Sequence, residues 1–264
     1  MRISGSTIVV TGASSGIGRD AALRLARKGA RVWAVARNGD RLAALAAECE
    51  GITPFVADMS VDADRAALAE AVGALDVLVN NAGLGWSGVV AEMSATEVRR
   101  LFEINVIGLI DLTQRMLPGM LARRRGHIVN VGSVAGWVSA PPLSVYSATK
   151  FAVAGFSEGL RRELLGKGVS VGLIAPGPIA TEFYPRSKGM TDGVGAPMTS
   201  TGAPPASIAG RAVVRSIRMA GIPGWDTIAV PRVAGLTRLG AIPVLARAVD
   251  LVSVLTRKDG QPQK

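Results

Sequence analysis

VVTGASSGIGRDAALRLA, residues 9–26, runs from a β-branched stretch through three glycines into an alanine- and leucine-rich stretch of helical period. Residue type and period read it as strand, tight turn and helix. The helical part ends at Gly29, a common helix stop. The alternation then repeats. Short apolar runs recur as STIVVTG, RVWAVAR, ITPFVAD, LDVLVNNAG, HIVNVGS, VSVGLIAPG and DTIAVP. None alternates clearly between apolar and polar residues, the pattern of strands buried on both faces. Helical stretches such as DRLAALAAECEG lie between them. Such alternation predicts an α/β fold: a doubly wound parallel sheet of about seven strands with flanking helices.

The 264 residues suit one large domain, and the 48 % apolar content supplies a sizeable core. Aromatics are only 4 %, so that core is built from small side chains. Cys49 is the only cysteine, which excludes an intrachain disulfide and points to a reducing, cytoplasmic compartment. His127 is the only histidine. A histidine-rich metal site or a Ser-His-Asp triad lacks material, no metal is expected, and His127 reads as structural. The start, MRISGSTIVVTG, lacks a signal-peptide layout, and no apolar run of about 18 residues predicts a membrane span. The net charge of +10 fits nucleic acid, an anionic membrane surface, or an acidic cofactor and substrate. The basic run at residues 123–125 has no interleaved aromatics, so nucleic acid is not expected.

Residues 182–207 break the rhythm with Gly, Pro, Ser and Thr, and read as a functional loop within a domain spanning residues 1–231. Residues 232–264 read as a helical C-terminal tail whose last residues are disordered. Its apolar stripe suits packing on a partner subunit or over the pocket, or peripheral membrane contact.

The glycine loop carries the first chemical signal. Gly12, Gly16 and Gly18 let the backbone approach a pyrophosphate, and the helix start after them offers unpaired N–H donors. The second strand ends at Ala36 and Arg37, where dinucleotide folds often place an acid for the ribose 2′-hydroxyl. A guanidinium there favours a 2′-phosphate, hence NADP(H) over NAD(H), with Ser15 and Asn38 as further donors. Tyr146 and Lys150 are four residues apart, so on a helix they share one face and one cleft. A nearby ammonium lowers the pKa of a phenol, which makes Tyr146 a usable acid/base near neutrality.

With these motifs, and with AD at 57–58, NNAG at 80–83, Asn105 in EINVIG, Ser133 in VNVGS and PGPIAT at 176–181, the chain closely resembles the short-chain dehydrogenase/reductase family. The resemblance covers about residues 6–220 and adds the last strand. It implies a seven-stranded Rossmann-like sheet and hydride transfer between nicotinamide and a carbonyl or secondary alcohol. Asn105, Ser133, Tyr146 and Lys150 are the implied catalytic set. Ser133 would bind the substrate oxygen, Lys150 the nicotinamide ribose, and Asn105 a water linking Lys150 to solvent. The implied cofactor residues include Ser14 and Ile17 in the glycine loop, and Asp58 and Met59 at the adenine. Asn80, Asn81, Ala82 and Gly83 would pass beneath the adenosine ribose. Pro176, Gly177, Ile179 and Thr181 would close over the nicotinamide.

The substrate expected is a small-molecule lipophilic ketone or a 3-ketoacyl chain, held by Trp86, Trp137, Phe183, Tyr184, Met190 and Met198 with Arg186 and Lys188 at the edge. Family resemblance also implies a homodimer or homotetramer, paired through helices over about residues 95–117 and 147–165. The competing reading is a non-catalytic NADP(H)-binding protein that acts through a partner or a membrane surface. The intact set of four catalytic residues argues against it. A serine hydrolase is a poor alternative, because Ser133 does not sit in a Gly-x-Ser-x-Gly elbow.

Overall fold

The structure is a computed structural model that describes residues 1–139, 141–183, 203–222 and 226–231. Seven strands form one sheet: β1 (Thr7–Thr11), β2 (Arg31–Ala36), β3 (Ile52–Val56), β4 (Val77–Asn80), β5 (Gly126–Val131), β6 (Val169–Pro176) and β7 (Thr227–Val230). Their order is β3-β2-β1-β4-β5-β6-β7, and every pair is parallel. β1, β4 and β5 are buried along their whole length, as their largely apolar sequences without polar alternation predict. β3 departs from that expectation. It is an edge strand with Thr53, Pro54 and Val56 exposed, and Pro54 is tolerated there because one side of the strand has no ladder to feed.

Helices cover both faces. On one side α1 (Gly16–Ala26), α2 (Gly39–Glu48) and α7 (Ala206–Arg218) bury Leu25, Leu42, Leu45, Val213 and Ile217 against the sheet. On the other, α3 (Asp62–Val72), α5 (Gly108–Ala122) and α6 (Ser144–Glu163) bury Leu68, Leu112, Met116 and Leu160. α4 (Ala95–Phe102) runs into α5 through a π-turn at Glu103–Ile107. The single helix expected over residues 95–117 is thus two helices joined by a widened turn. One extra residue in a turn re-aims a side chain, and Asn105 sits in the middle of this one. The helix expected over residues 147–165 starts at Ser144 and ends at Glu163.

After β3 the chain crosses over to β4 on the far side of β1, so the connections from β1 and β4 leave in opposite directions. That switch point opens a crevice at the C-terminal ends of β1 and β4, where this architecture binds ligands. Among the described residues, no helix is long and apolar enough to cross a membrane. The tail 232–264 and most of the loop 182–207, including Tyr184, Arg186, Lys188, Met190 and Met198, lie outside the described residues.

Candidate active site

A groove of about 590 Å³ occupies the switch point. Its floor is the glycine loop. Gly12 and Gly16 have φ of 67° and 55°, a left-handed backbone that favours glycine. A Cβ on Gly12 would stand 2.9 Å from the Ala82 backbone. On Gly18 it would stand 2.4 Å from the Gly12 carbonyl oxygen. Gly18 therefore lies behind the wall, where it lets α1 seat against the loop, while Gly12, Ser14, Ser15, Gly16 and Ile17 face the groove. α1 begins at Gly16 with no acid in its first turn, so its N-terminus points an uncompensated positive dipole end at the groove.

Hydrogen bonds hold the NNAG segment to this floor. Thr11 Oγ1 accepts from the backbone N–H groups of Asn81 and Ala82, both at 3.0 Å, and Asn81 Nδ2 donates to the Thr11 carbonyl at 3.0 Å. Asn81, Ala82 and Gly83 line the groove. Asn80 does not. It is buried and donates to Thr113 Oγ1 and Asn130 Oδ1, which ties β4 to α5 and β5 from behind.

At one end, Arg37 and Asn38 follow β2 and Asp58 and Met59 follow β3, all four on the wall. Arg37 stands 3.6 Å from the Asp58 carboxylate. Burial alone would push the Asp58 carboxyl up, but hydrogen bonds from the Ser60 amide and hydroxyl, with the Arg37 cation, hold it below its ordinary value. The Asn38 side chain caps α2 by accepting from the Arg41 amide at 2.9 Å. Arg41 itself lines the groove and pairs with Glu182 at 2.8 Å. Sequence reading passed over Arg41, because an arginine in the first turn of a helix looks like any solvated surface charge.

At the other end stands Lys150. It is only 6 % exposed, and its Nζ donates to the Val131 carbonyl at 3.1 Å. Burial pushes its ammonium down to about 8. The same Nζ lies 5.8 Å from the centre of the Tyr146 ring. Tyr146 packs with Trp86, Leu101 and Ala135, the first two of which line the groove, and is tilted against Phe183 at 5.9 Å. Ser133 lines the groove; its hydroxyl donates to the Pro176 carbonyl at 3.3 Å and accepts from the Ala135 amide. A Cβ on Gly136 would stand 2.5 Å from the Lys150 carbonyl oxygen, so this glycine brings the Ser133 turn down onto α6. Pro176, Gly177, Ile179 and Thr181 form the wall after β6.

Asn105 does not face the groove. Its Oδ1 accepts from the Leu84 amide at 2.7 Å, and its Nδ2 donates to the Leu84 carbonyl and to Thr149 Oγ1. A Cβ on Gly83 would stand 3.1 Å from Asn105 Oδ1 and 3.7 Å from Lys150 Nζ. The glycine thus keeps a small polar space open between the two.

The wall beyond Lys150 corrects the expected substrate contacts. Trp86 and Phe183 line the groove, but Trp137 packs into a separate cluster with Leu109, Val153 and Leu173. Met93, Arg100, Leu101 and Ile104 take its place, presented by α4 and its approaches. The apolar spacing of Leu101 and Ile104 was the available signal, and it reads equally well as ordinary core. His127 lies at the opposite end of β5 from Ser133, bonded to Ser170 and Ser216. Among the described residues, no cluster of His, Cys, Asp or Glu is arranged to hold a metal.

A model of the family described as short chain dehydrogenase matches residues 6–190. Human retinol dehydrogenase 8 is 39 % identical over 186 residues, which cover 67 % of this chain and 60 % of that protein. The chain therefore spans less than two thirds of that relative. A short-chain dehydrogenase of Sphingobium yanoikuyae solved in complex with NADPH superposes with a TM-score of 0.78 at 28 % identity, over 98 % of this chain and 99 % of that one. A short-chain dehydrogenase/reductase of Burkholderia phymatum in complex with NAD does so with 0.81 at 25 %, over 100 % and 99 %. The parallel sheet, the glycine-floored groove at its switch point and the match over most of its length together establish that this chain belongs to the short-chain dehydrogenase family of oxidoreductases.

Proposed function

We propose that the chain is an NADP(H)-dependent reductase or dehydrogenase of a lipophilic carbonyl compound or the matching secondary alcohol, with 3-ketoacyl chains as a second substrate type. The observation that carries this reading is Lys150, a nearly buried cation that reaches the groove beside Tyr146 and, among the described residues, has a neutral carbonyl and no carboxylate for a partner. A fold gains nothing in stability from such a group, whereas proton transfer does.

The groove fits a dinucleotide. Its floor is bare backbone at a helix N-terminus, and its ends carry the two kinds of chemistry such a cofactor needs. Ser14, Ser15, Gly16 and Ile17 would hold the pyrophosphate, and Asp58 and Met59 the adenine. Arg37 would hold the 2′-phosphate, with Arg41 beside it as an added cation. Two guanidiniums and no acid at the end of β2 support NADP(H). When bound, the nicotinamide supplies or accepts the hydride.

The protein supplies the proton and the alignment. The Tyr146 hydroxyl donates to the carbonyl oxygen in reduction, and the Lys150 ammonium stabilises the phenolate left behind. Ser133 turns its hydroxyl from Pro176 to the substrate oxygen. The space beside Gly83, flanked by Asn105 Oδ1 and Lys150 Nζ, is where a water would return the proton from solvent. Trp86, Met93, Leu101 and Phe183 support an apolar substrate.

Residues 1–231 form the catalytic unit in this reading, with 182–207 toward the substrate and 232–264 accessory to it. Exposed Ile107 and Phe151 support self-association through the π-turn and α6. The first test is NADPH oxidation by the purified protein against steroid-like ketones, small ketones, quinones, sugars and 3-ketoacyl thioesters, with NADH in parallel. Turnover of an apolar class with NADPH is expected, and Tyr146→Phe should lose nearly all of it while still binding NADPH. Normal turnover by that variant removes the assigned acid/base; a preference for NADH overturns the role of Arg37.

A further inference from the structure

The buried cation the mechanism leaves unused is Arg65. It belongs to the first turns of α3 and is only 4 % exposed. Its guanidinium touches three segments at once. Nη1 donates to the Met59 carbonyl at 2.7 Å, in the turn that carries Asp58. Nε donates to Asp111 Oδ2 at 2.6 Å, on α5. Nη1 also stands 3.8 Å from Glu103 Oε1, the first residue of the π-turn. Asp62 closes the set, bridging to Arg65 and to Arg115, which in turn pairs with Asp111.

The backbone is drawn in at the same place. A Cβ on Gly108, the first residue of α5, would stand 2.2 Å from the very Met59 oxygen that Arg65 holds. The turn after β3 and the exit of the π-turn are therefore in direct contact, and Arg65 clamps them together. Asn105 lies inside that π-turn. Through it the clamp reaches both Leu84 and Thr149, and Thr149 Oγ1 donates to the Tyr146 carbonyl at 2.7 Å.

A buried ion network of this kind rarely adds more stability than apolar residues of the same volume would. Its contribution is directional. A planar guanidinium makes several bonds at fixed angles, which a lysine ammonium on a flexible stem cannot copy.

We propose that Arg65 is a positioning residue that couples occupancy of the adenosine end of the groove to the placement of Asn105. Adenosine held at Asp58 and Met59 steadies the turn; Arg65 passes that order to the π-turn; Asn105 then fixes Leu84 and the α6 backbone beside Tyr146. The inference rests on the cofactor reading given above, and extends it to how one end of the cofactor prepares the other.

The test uses the full chain and adenosine 2′,5′-bisphosphate, with ADP in parallel, as a probe that lacks the nicotinamide half. Hydrogen exchange is followed at the Leu84 amide and across residues 103–107. In the wild type, saturating nucleotide should slow exchange there about fivefold or more, the low end of measured couplings between sites. In Arg65→Lys the nucleotide should still bind, while the slowing falls below about twofold. Asp111→Asn, which leaves the Met59 bond in place and loosens the α5 end, should show the same loss and guards against misfolding of the first variant. NADPH turnover by Arg65→Lys should lose about tenfold in kcat with little change in the KM for NADPH.

Full protection in both variants overturns the proposal, and so does a wild type that binds nucleotide without slowing exchange at these sites. A wild type that binds neither nucleotide sinks the cofactor reading and this inference with it. A wild type that binds and protects but turns over no carbonyl leaves the coupling standing and overturns the catalytic reading alone.

Discussion

Arg65 and Lys150 are both cations that the fold takes out of water, at 4 % and 6 % exposure, yet they are treated in opposite ways. Three carboxylates and a backbone carbonyl surround the guanidinium of Arg65. Among the described residues, Lys150 has one hydrogen-bond partner, a neutral carbonyl, and a phenol ring nearby. The first cation acts through geometry. The second is held in a state that favours losing its proton, which costs stability and creates reactivity. The difference separates a charge that organises a site from a charge that works in one.

Removing the paired cation should have the largest effect. Arg65→Met removes the buried cation on which Asp111, Glu103 and Asp62 converge; Arg115 still pairs with Asp111, so the loss in urea unfolding should be about 3 kcal/mol, the low end for a broken buried pair. A loss below about 1 kcal/mol would mean that the network relaxes into water and clamps nothing.

His127 sharpens the comparison as a third buried ionisable group, one kept neutral. Burial first, then the N-terminal ammonium, lower it from 6.5 to about 3. Its folded pKa lies below its unfolded value, so its contribution is complete above pH 6.5 and is lost as the pH falls toward 3. Between pH 7 and pH 4 the wild type should lose about 3 kcal/mol more than His127→Gln, measured by denaturant titration at each pH. Parallel acid limbs would show that His127 titrates normally.

Lys150 should behave with the opposite sign to Arg65. The Lys150 pKa is lowered from 10.5 to about 8. Below pH 8 the folded protein carries the whole cost of its charge, and stability rises as the pH passes from 8 to 10.5. Lys150→Met should therefore be inactive but more stable at pH 7, by at most about 3 kcal/mol. That gain should vanish by pH 10.5, and a gain that persists would trace to packing.

The smallest effect belongs to Ser147, next to Tyr146. Its hydroxyl is buried without a hydrogen-bond partner among the described residues. Ser147→Ala should raise stability by about 1 kcal/mol and leave turnover unchanged, read from thermal melts and initial rates.

The β1 to α1 unit was legible because its information is local. Three glycines within seven residues, placed between a β-branched run and a helical one, admit few backbone paths. Arg37 was legible for the same reason, standing just after β2, whereas Asn81 and Thr181 were legible only through the resemblance of NNAG and PGPIAT to the family's motifs. Arg65 and Arg41 were not. Each reads as a polar residue on a helix, and only a contact 46 positions away makes Arg65 a buried hub, as only one 141 positions away gives Arg41 its partner. Trp137 misled for the complementary reason: closeness in sequence to Ser133 says nothing about which side of β6 its ring falls on.

The amino-acid sequence by itself determined the strand and helix rhythm, the glycine loop, the lack of an acid after β2 and the spacing that puts Tyr146 and Lys150 on one helical face. All of these follow from steric and periodic rules that act over a few residues. Tertiary structure alone decided which charges are buried. It set Lys150 beside a carbonyl and Arg65 among carboxylates, and so made one cation labile and the other fixed. Desolvation depends on everything packed around a group, and no local rule encodes it.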